Sequence, residues 1–245
     1  MYDEPRFLPA GDRALIMELG DAIEEKCNNA IRSVVEAVEA QNIEGIEEAV
    51  PTYRSILFYY DPLVMDFYGI TSTLKKLYDQ LDVTSRTTGP TLVIPVLYGG
   101  EAGPDLGFVA SHAHLSEDEV VALHSSRDYL IYMIGFTPGF TYLGGMDDKI
   151  ATPRLERPRE HIPAGSVGIA SKQTGIYPIE SPGGWQLIGL TPLKLYDPNR
   201  EPPILPSVGE HIRFKPITKE EFDAIKVKVD EGAYQPTIIK VGEPA

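Results

Sequence analysis

Apolar residues recur with two different periods in the first third of the chain. Alternating or clustered apolar residues predict four short strands, at 7–8, 14–19, 46–50 and 55–60. Apolar residues spaced three and four apart predict two helices, over about 22–40 and from Pro62 onward. Asp21 and Asp61 precede these helices and are the expected N-caps. Two helices on one face of a four-stranded sheet predict a two-layer α+β domain.

The middle of the chain carries many short β-branched and aromatic runs separated by turn residues. Strands are predicted at 91–97, 127–136, 167–170, 184–188, 193–196 and 211–215. Two short helices interrupt them. Asp105 is the expected cap of the first, and Ser116 with Glu119 predicts a capping box for the second.

These elements predict an α+β N-terminal domain with the order ββαββα, followed by an all-β barrel. The first domain is expected to cover residues 1–85 and the barrel residues 86–216. A C-terminal helix and tail follow over 217–245. The boundary between the two domains is placed in 85–90, which is polar and rich in turn residues.

Charge and composition exclude several classes of protein. The chain has 36 acidic and 22 basic side chains, a formal net charge of −14. This charge repels phosphate backbones and anionic membrane surfaces, so neither a nucleic-acid nor a membrane partner is expected. No apolar run is long enough to span a membrane. The single cysteine, Cys27, permits no internal disulfide and is interpreted as a core residue, which is typical of a cytoplasmic protein.

The most informative chemistry lies between Gly135 and Thr191, where glycines and prolines separate short strands. A rigid β framework that carries polar and aromatic side chains on its loops predicts a small-molecule pocket. The alternative is a barrel whose turns simply need glycine. The candidate pocket residues are Phe136, Phe140, Arg154, Ser166, Gln173, Thr174, Tyr177, Trp185 and Gln186.

Three arginines, Arg154, Arg157 and Arg159, flank prolines that keep the backbone extended. A guanidinium group binds a carboxylate or phosphate through two parallel hydrogen bonds. We expect Arg154 to face a ligand or a partner. The alternative is that at least one of the three pairs with a local carboxylate, Glu156 or Glu160.

Familiar catalytic motifs are absent from the sequence. It contains no GxxxxGK[ST] phosphate loop, no GxSxG elbow, and no HExxH or cysteine–histidine metal set. No metal is therefore expected, and the sequence assigns no catalytic residue.

Five segments, in this order, resemble a known family: GFTPGFTYLGG, TPR, PAGSVGIA, QTGIYP and SPGGWQLIG. The family is that of the bacterial 5-oxoprolinase B subunits (PxpB), also called allophanate hydrolase subunit 1, and it includes kinase inhibitors of the KipI type. The resemblance covers nearly the whole chain. It implies a cyclophilin-like barrel for the second domain.

The resemblance also implies a function. In this family the chain is expected to be one component of an ATP-dependent enzyme that opens the lactam of 5-oxo-L-proline to L-glutamate. Its partners would be the C subunit, of the allophanate hydrolase subunit 2 type, and the A subunit. The chain is expected to be inactive alone, with ATP bound by a partner or by an unfamiliar arrangement here. The alternatives are an inhibitor of a histidine kinase and part of a carboxyltransferase or amide hydrolase that acts on a urea-like substrate.

Overall fold

The computed structural model describes residues 1–82 and 89–240, which form two compact units. Most of the predicted linker, 85–90, lies outside the described residues. The domain boundaries at 85 and 216 therefore remain predictions.

The first unit contains a four-stranded antiparallel sheet and two helices. In chain order its elements are β1 (Arg6–Pro9), β2 (Ala14–Glu18), α1 (Glu25–Gln41), β3 (Ile46–Pro51), β4 (Ser55–Tyr60) and α2 (Phe67–Gln80). The strands are arranged β1-β2-β4-β3. Both helices bury their apolar faces in one core with the sheet, where Ile31, Phe58 and Ile70 are fully buried. The predicted ββαββα order is confirmed.

Helix α1 begins later than predicted. It starts at Glu25, and Glu24 rather than Asp21 occupies the N-cap position. Glu24 does not cap the helix with its side chain, because its carboxylate pairs with the N-terminal amine of Met1 at 2.9 Å. The prediction of Asp21 as the cap is wrong. Cys27 lies in the first turn and is fully buried, as predicted.

Helix α2 also begins later than predicted, at Phe67. Its cap is Asp66, whose Oδ1 accepts a hydrogen bond from the backbone N–H of Gly69 at 2.7 Å. Asp61, the predicted cap, instead accepts from the backbone N–H of Leu63 at 2.9 Å. Asp61 therefore stabilises a local turn ahead of the helix, which competes with helix initiation at that point.

The second unit is built on an eight-stranded sheet. Its elements are β5 (Thr91–Tyr98), α3 (Leu106–Ala113), α4 (Glu117–Ser125), β6 (Asp128–Ile134), β7 (Thr141–Gly144), β8 (Arg159–Ile162), β9 (Ser166–Ala170), β10 (Gln173–Ile176), β11 (Ser181–Gly183), β12 (Gln186–Leu190), β13 (His211–Pro216), α5 (Lys219–Asp230) and β14 (Ile238–Ile239). The sheet order is β10-β9-β12-β5-β13-β6-β7, with β14 paired to β5 and with β8 and β11 forming a separate pair.

The two ends of this sheet, β10 and β7, meet and nearly close it into a barrel. A side chain at Gly175 on β10 would come within 3.3 Å of the carbonyl oxygen of Thr141 on β7. The unit is not all-β, however. Leu106 and Val109 of α3 and Val120 of α4 are buried in the same core as the strands. The second unit is therefore a mixed α/β structure around a nearly closed barrel.

One predicted strand of the second unit does not form. Residues 193–196 are irregular apart from a single bridge between Tyr196 and Ile204. The guanidinium of Arg200 donates hydrogen bonds to the carbonyl oxygens of Lys194 and Leu195 at 2.9 and 3.2 Å, and Leu195 also accepts from the backbone N–H of Leu205 at 2.8 Å. These carbonyl groups are thus satisfied without a continuous strand pairing.

The end of the described chain belongs to the sheet. Ile238 and Ile239 of β14 pair antiparallel with Leu92 and Thr91 of β5. The predicted tail is therefore extended and paired up to this point. None of the helices within 1–82 and 89–240 has the length and apolar character needed to cross a bilayer.

Candidate functional site

A cavity of about 270 Å³ opens among the turns of the glycine- and proline-rich stretch. It is lined by Phe136, Phe140, Tyr142, Arg154, Gln173, Tyr177, Pro182, Gly183, Gly184 and Trp185. Six of the nine residues predicted from the sequence are among them: Phe136, Phe140, Arg154, Gln173, Tyr177 and Trp185. The structure thus brings these six together, while their binding of a ligand remains a prediction.

Aromatic rings form the walls of the cavity. Phe140 lies at their centre, with its ring centroid 6.0 Å from that of Tyr177 and 5.7 Å from that of Trp185. Tyr142 packs on its other side at 5.1 Å. All these contacts are edge-to-face, the arrangement that the ring quadrupoles favour. Phe140, Tyr177 and Trp185 are buried, so the walls are fixed by their own packing.

Phe136 stands at the mouth of the cavity and is 71% exposed. Its φ of 66° lies in the left-handed region, which costs a non-glycine residue roughly 1–2 kcal/mol. A tight loop imposes this conformation: the N–H of Gly135 donates to the carbonyl of Phe140, and the N–H of Phe140 to that of Thr137. A strained backbone that presents an exposed aromatic side chain is typical of a functional site.

Arg154 supplies the positive charge of the cavity, and its backbone is held on both sides. The N–H of Leu155 donates to the carbonyl of Gly184 at 2.7 Å, and Nε2 of Gln186 donates to the carbonyl of Pro153 at 2.9 Å. Within the described residues, no carboxylate pairs with the exposed guanidinium of Arg154. The site therefore offers an anionic ligand a cation whose backbone is held in place.

Tyr177 contributes a neutral hydroxyl. Burial raises its pKa above the ordinary value, against the opposing effects of the Trp185 backbone N–H and of the charges on Arg154 and Arg159. Because the hydroxyl keeps its proton at physiological pH, it can both donate and accept a hydrogen bond.

Three predicted site residues do not line the cavity. Gln186 is buried, and its side chain donates to the carbonyl of Pro153. It therefore supports the backbone next to Arg154 without lining the cavity. Ser166 is buried in β9, where its carbonyl accepts from the N–H of Tyr177 at 2.9 Å. Thr174 points into the barrel rather than into the cavity, and it hydrogen-bonds to the carbonyl of Gly168 at 3.0 Å.

Thr174 ends a buried chain of hydrogen bonds that runs through His124. The Thr174 hydroxyl must donate to the Gly168 carbonyl, so it accepts from Nε2–H of His124 at 2.7 Å. Nδ1 of His124 then accepts from the Tyr98 hydroxyl, also at 2.7 Å. Burial lowers the pKa of His124 to about 3. The imidazole is therefore neutral, with its proton on Nε2.

One of the arginines pairs with a carboxylate, but that carboxylate is not local in the chain as the alternative expected. Nη2 of Arg159 pairs with Oδ1 of Asp105 at 2.7 Å, and neither Glu156 nor Glu160 takes part. The expected capping role of Asp105 is also wrong, because its side chain makes no hydrogen bond to the start of α3.

Sequence reasoning missed four residues of the cavity lining, namely Tyr142, Pro182, Gly183 and Gly184. A signal for Tyr142 was present: it lies two residues beyond Phe140, so in an extended segment both side chains point to the same face. Gly183 has room for no side chain, because a Cβ there would lie 2.3 Å from the Tyr177 hydroxyl.

A larger cavity of about 850 Å³ lies beside α5 and β14. Its lining is mainly apolar, and its charged groups are largely engaged. Arg213 binds Asp128 through two hydrogen bonds, and Glu221 closes the capping box of α5 with Thr218. The smaller cavity, which is lined by the Arg154 cation and the Gln173 amide, is the better candidate for a polar substrate.

Comparison with known proteins places this chain in a family. Residues 5–206 match the family model described as carboxyltransferase domain, subdomain C and D. The chain is 40% identical over 232 residues to the B subunit of 5-oxoprolinase from Bacillus subtilis (strain 168), covering 88% of this chain and 94% of that protein.

Two solved structures are also similar. The conserved uncharacterised protein PH0987 from Pyrococcus horikoshii is 48% identical, with a TM-score of 0.54, over 89% of this chain and 100% of that one. The K. lactis urea amidolyase has a TM-score of 0.80 over 96% of this chain and 16% of its own, but at 20% identity it shows the fold alone. The chain therefore belongs to the family of 5-oxoprolinase B subunits, which carries the carboxyltransferase subdomains C and D.

Proposed function

We propose that this chain is the substrate-binding component of an ATP-dependent 5-oxoprolinase, which hydrolyses 5-oxo-L-proline to L-glutamate. The observation that carries the proposal is the convergence of Arg154, Gln173 and the aromatic walls on one cavity of about 270 Å³. The name of the Bacillus subtilis relative supports the same assignment.

The chemistry of the substrate matches the lining. 5-Oxo-L-proline carries a carboxylate, which Arg154 can bind through two hydrogen bonds. Its cyclic amide can exchange hydrogen bonds with the side-chain amide of Gln173. Its small ring can pack against Phe140 and Trp185. The cavity lies just below the range of about 300–1,000 Å³ that is typical of larger ligands, which favours a small substrate.

Hydrolysis adds the oxygen of water to the lactam carbonyl, breaks the C–N bond and transfers a proton to the leaving nitrogen. Among the described residues, those that line the cavity include no carboxylate, histidine, cysteine or serine that could act as base or nucleophile. We therefore assign the chain to substrate binding, and the bond cleavage to a site completed by the C subunit, of the allophanate hydrolase subunit 2 type.

The lining of the cavity does not favour ATP. In the part of the chain that the structure describes, Arg154 is the only cationic side chain that lines it, whereas a triphosphate needs several cationic groups and backbone N–H donors. We therefore propose that ATP is bound by a partner, either the A or the C subunit. The designation of the relative as a B subunit implies such partners.

We also propose that the nearly closed barrel has the cyclophilin-like fold and that the complex is cytoplasmic.

The test is reconstitution. The chain alone is expected to show no ATP turnover that depends on 5-oxoproline, and addition of the A and C subunits should produce turnover together with stoichiometric glutamate. Turnover by the chain alone would disprove the need for partners. No turnover in the full complex, with all components folded and associated, would disprove the assignment.

Arg154→Ala should raise the KM for 5-oxoproline in the reconstituted complex by about 10- to 100-fold, the loss expected for a hydrogen-bonded ion pair with the substrate. The matched control is Arg157→Ala, because Arg157 is an exposed arginine nearby that does not line the cavity. The KM of the control should stay unchanged. An equal KM in wild type and Arg154→Ala, with the fold intact, would remove the role of Arg154.

The carboxyltransferase name of the family model favours a second candidate, transfer of a carboxyl group or amide hydrolysis on a urea-like substrate. The same complex tested with urea in place of 5-oxoproline distinguishes the two. If the chain instead inhibited a histidine kinase, it would bind the kinase whether or not 5-oxoproline was present.

A further inference from the structure

We propose that the ion pair of Asp105 and Arg159 positions two elements of the cavity, the ring of Trp185 and the guanidinium of Arg154. Neither partner of the pair lines the cavity. The inference deepens the proposed function, but it depends on that function only for the identity of the ligand. The pair itself is a feature of the fold and can be tested without a ligand.

Asp105 occupies the N-cap position of α3 but binds β12 instead. Its Oδ2 accepts from the backbone N–H of Leu187 at 2.7 Å, and its own N–H donates to the carbonyl of Leu187 at 2.9 Å. Its Oδ1 accepts from Nη2 of Arg159 at 2.7 Å. The carboxylate, which is 13% exposed, thus joins the start of α3, the strand β8 and the strand β12.

Arg159 extends this connection to the wall of the cavity. Its other terminal nitrogen, Nη1, donates to the carbonyl oxygen of Trp185 at 3.3 Å. The pair therefore binds the carbonyl of Trp185 and the N–H of Leu187, the backbone groups on either side of Gln186. Fixing both groups limits rotation of the backbone that carries the indole ring.

The segment held by the pair in turn holds Arg154. The carbonyl of Gly184 accepts from the N–H of Leu155, and the side chain of Gln186 donates to the carbonyl of Pro153. A shift of residues 184–186 would therefore move the backbone on both sides of Arg154. A half-buried pair of this kind is costly to break on one side only, because the remaining charge loses its partner.

The single tryptophan of the chain makes this inference directly measurable, since Trp185 is the only source of indole fluorescence. Trp185 is buried, so its emission should be shifted to the blue and weakly quenched by acrylamide. In Arg159→Met and in Asp105→Asn, each confirmed as folded by circular dichroism, we expect a red shift. The acrylamide quenching constant should rise by about twofold or more, because the local structure opens more readily.

Two further variants sharpen the measurement. Arg157→Met is the matched control, and its emission and quenching should equal those of the wild type. Arg159→Lys keeps the charge but loses the planar fork, so it should give an intermediate change. If Arg159→Met fails to fold, Arg159→Lys decides the question. An unchanged Trp185 signal in every folded variant of Asp105 and Arg159 would overturn the proposal.

A ligand titration separates this proposal from the proposed function. In the reconstituted complex, Arg159→Lys should raise the KM for 5-oxoproline more than it lowers kcat, because the substrate-binding groups are displaced. If the wild-type complex shows no turnover that depends on 5-oxoproline, the proposed function is disproved, whereas the fluorescence result still tests the positioning of Trp185. A changed Trp185 signal with unaltered KM would overturn the positioning role at the site.

Discussion

Replacing Gly103 with alanine is expected to lower the free energy of unfolding of the second unit by about 3 kcal/mol or more. A Cβ at this position would lie 2.1 Å from the carbonyl oxygen of Ile188 and 2.3 Å from its carbonyl carbon. Both atoms belong to the backbone of β12, which is paired in the sheet and cannot turn aside as a side chain could. Either β12 or the segment leading to α3 must therefore move.

Urea denaturation followed by the fluorescence of Trp185 measures this loss, because the tryptophan lies in the second unit. Gly135→Ala is the matched control, since no atom of the described residues, apart from Gly135 and its two chain neighbours, lies within 4 Å of a Cβ built there. Its stability should change by less than about 1 kcal/mol. A loss at Gly103 as small as that at Gly135 would show that the backbone of β12 can yield.

The elements that the sequence predicts well are those specified by neighbouring residues. The capping box of Ser116 and Glu119 is present, with Glu119 also bound to the Ser116 backbone N–H at 2.8 Å. Strand β5 is a continuous β-branched run and lies where it is expected. In the first case the interacting groups are three residues apart, and in the second the apolar pattern is continuous over the strand.

The elements that it predicts poorly depend on competition from elsewhere. Helix α1 begins at Glu25, and the side chain at its N-cap position, Glu24, pairs with the amine of Met1, which is 23 residues away in the chain. Residues 193–196 form no strand, and the carbonyl groups of Lys194 and Leu195 are bound by Arg200 instead of by a continuous strand partner. The short strands β8 and β11 were not predicted, because glycine and proline hide a pairing that tertiary structure imposes.

In the candidate site, too, features set by neighbouring residues could be predicted and features set by distant residues could not. The aromatic and cationic lining residues could be predicted because they are clustered in the chain with the turns that expose them. The supporting contacts could not: Asp105 and Arg159 are 54 residues apart, and His124 and Thr174 are 50 apart. Such pairs depend on how strands and helices are brought together, which local periodicity does not specify.

His124 should make the stability of the second unit depend on pH. Its pKa is about 3 in the folded protein, against 6.5 for an unperturbed histidine. Below pH 6.5 the unfolded chain binds a proton that the folded chain excludes. The contribution of the neutral imidazole is therefore complete above pH 6.5 and is lost as the pH falls toward 3, with a slope of up to about 1.4 kcal/mol per pH unit.

Carboxylates also titrate over this range, so the measurement compares wild type with His124→Gln. Glutamine keeps a donor toward Thr174 but cannot be protonated. The groups that face the imidazole are Tyr98, Tyr129 and Phe214, and burial raises the pKa of both tyrosines, so they stay neutral. The free energy of unfolding of wild type minus that of His124→Gln should fall by about 3 kcal/mol as the pH is lowered from 6.5 to 4.

A constant difference across this range would mean that the folded protein accepts a proton on His124 without cost, and thus that water or a carboxylate reaches the imidazole. The hydrogen bonds of His124 also affect the candidate site, because its partner Thr174 is adjacent to Gln173 in β10. Protonation of the imidazole would force His124 to donate from Nδ1 as well, which breaks the acceptor role that Tyr98 requires. At pH 4 the imidazole is still mostly neutral in the folded protein, so the proton is taken up by opened forms that expose His124, and these forms become more populated. Amide hydrogen exchange in β10 at pH 4 should therefore be faster in wild type than in His124→Gln.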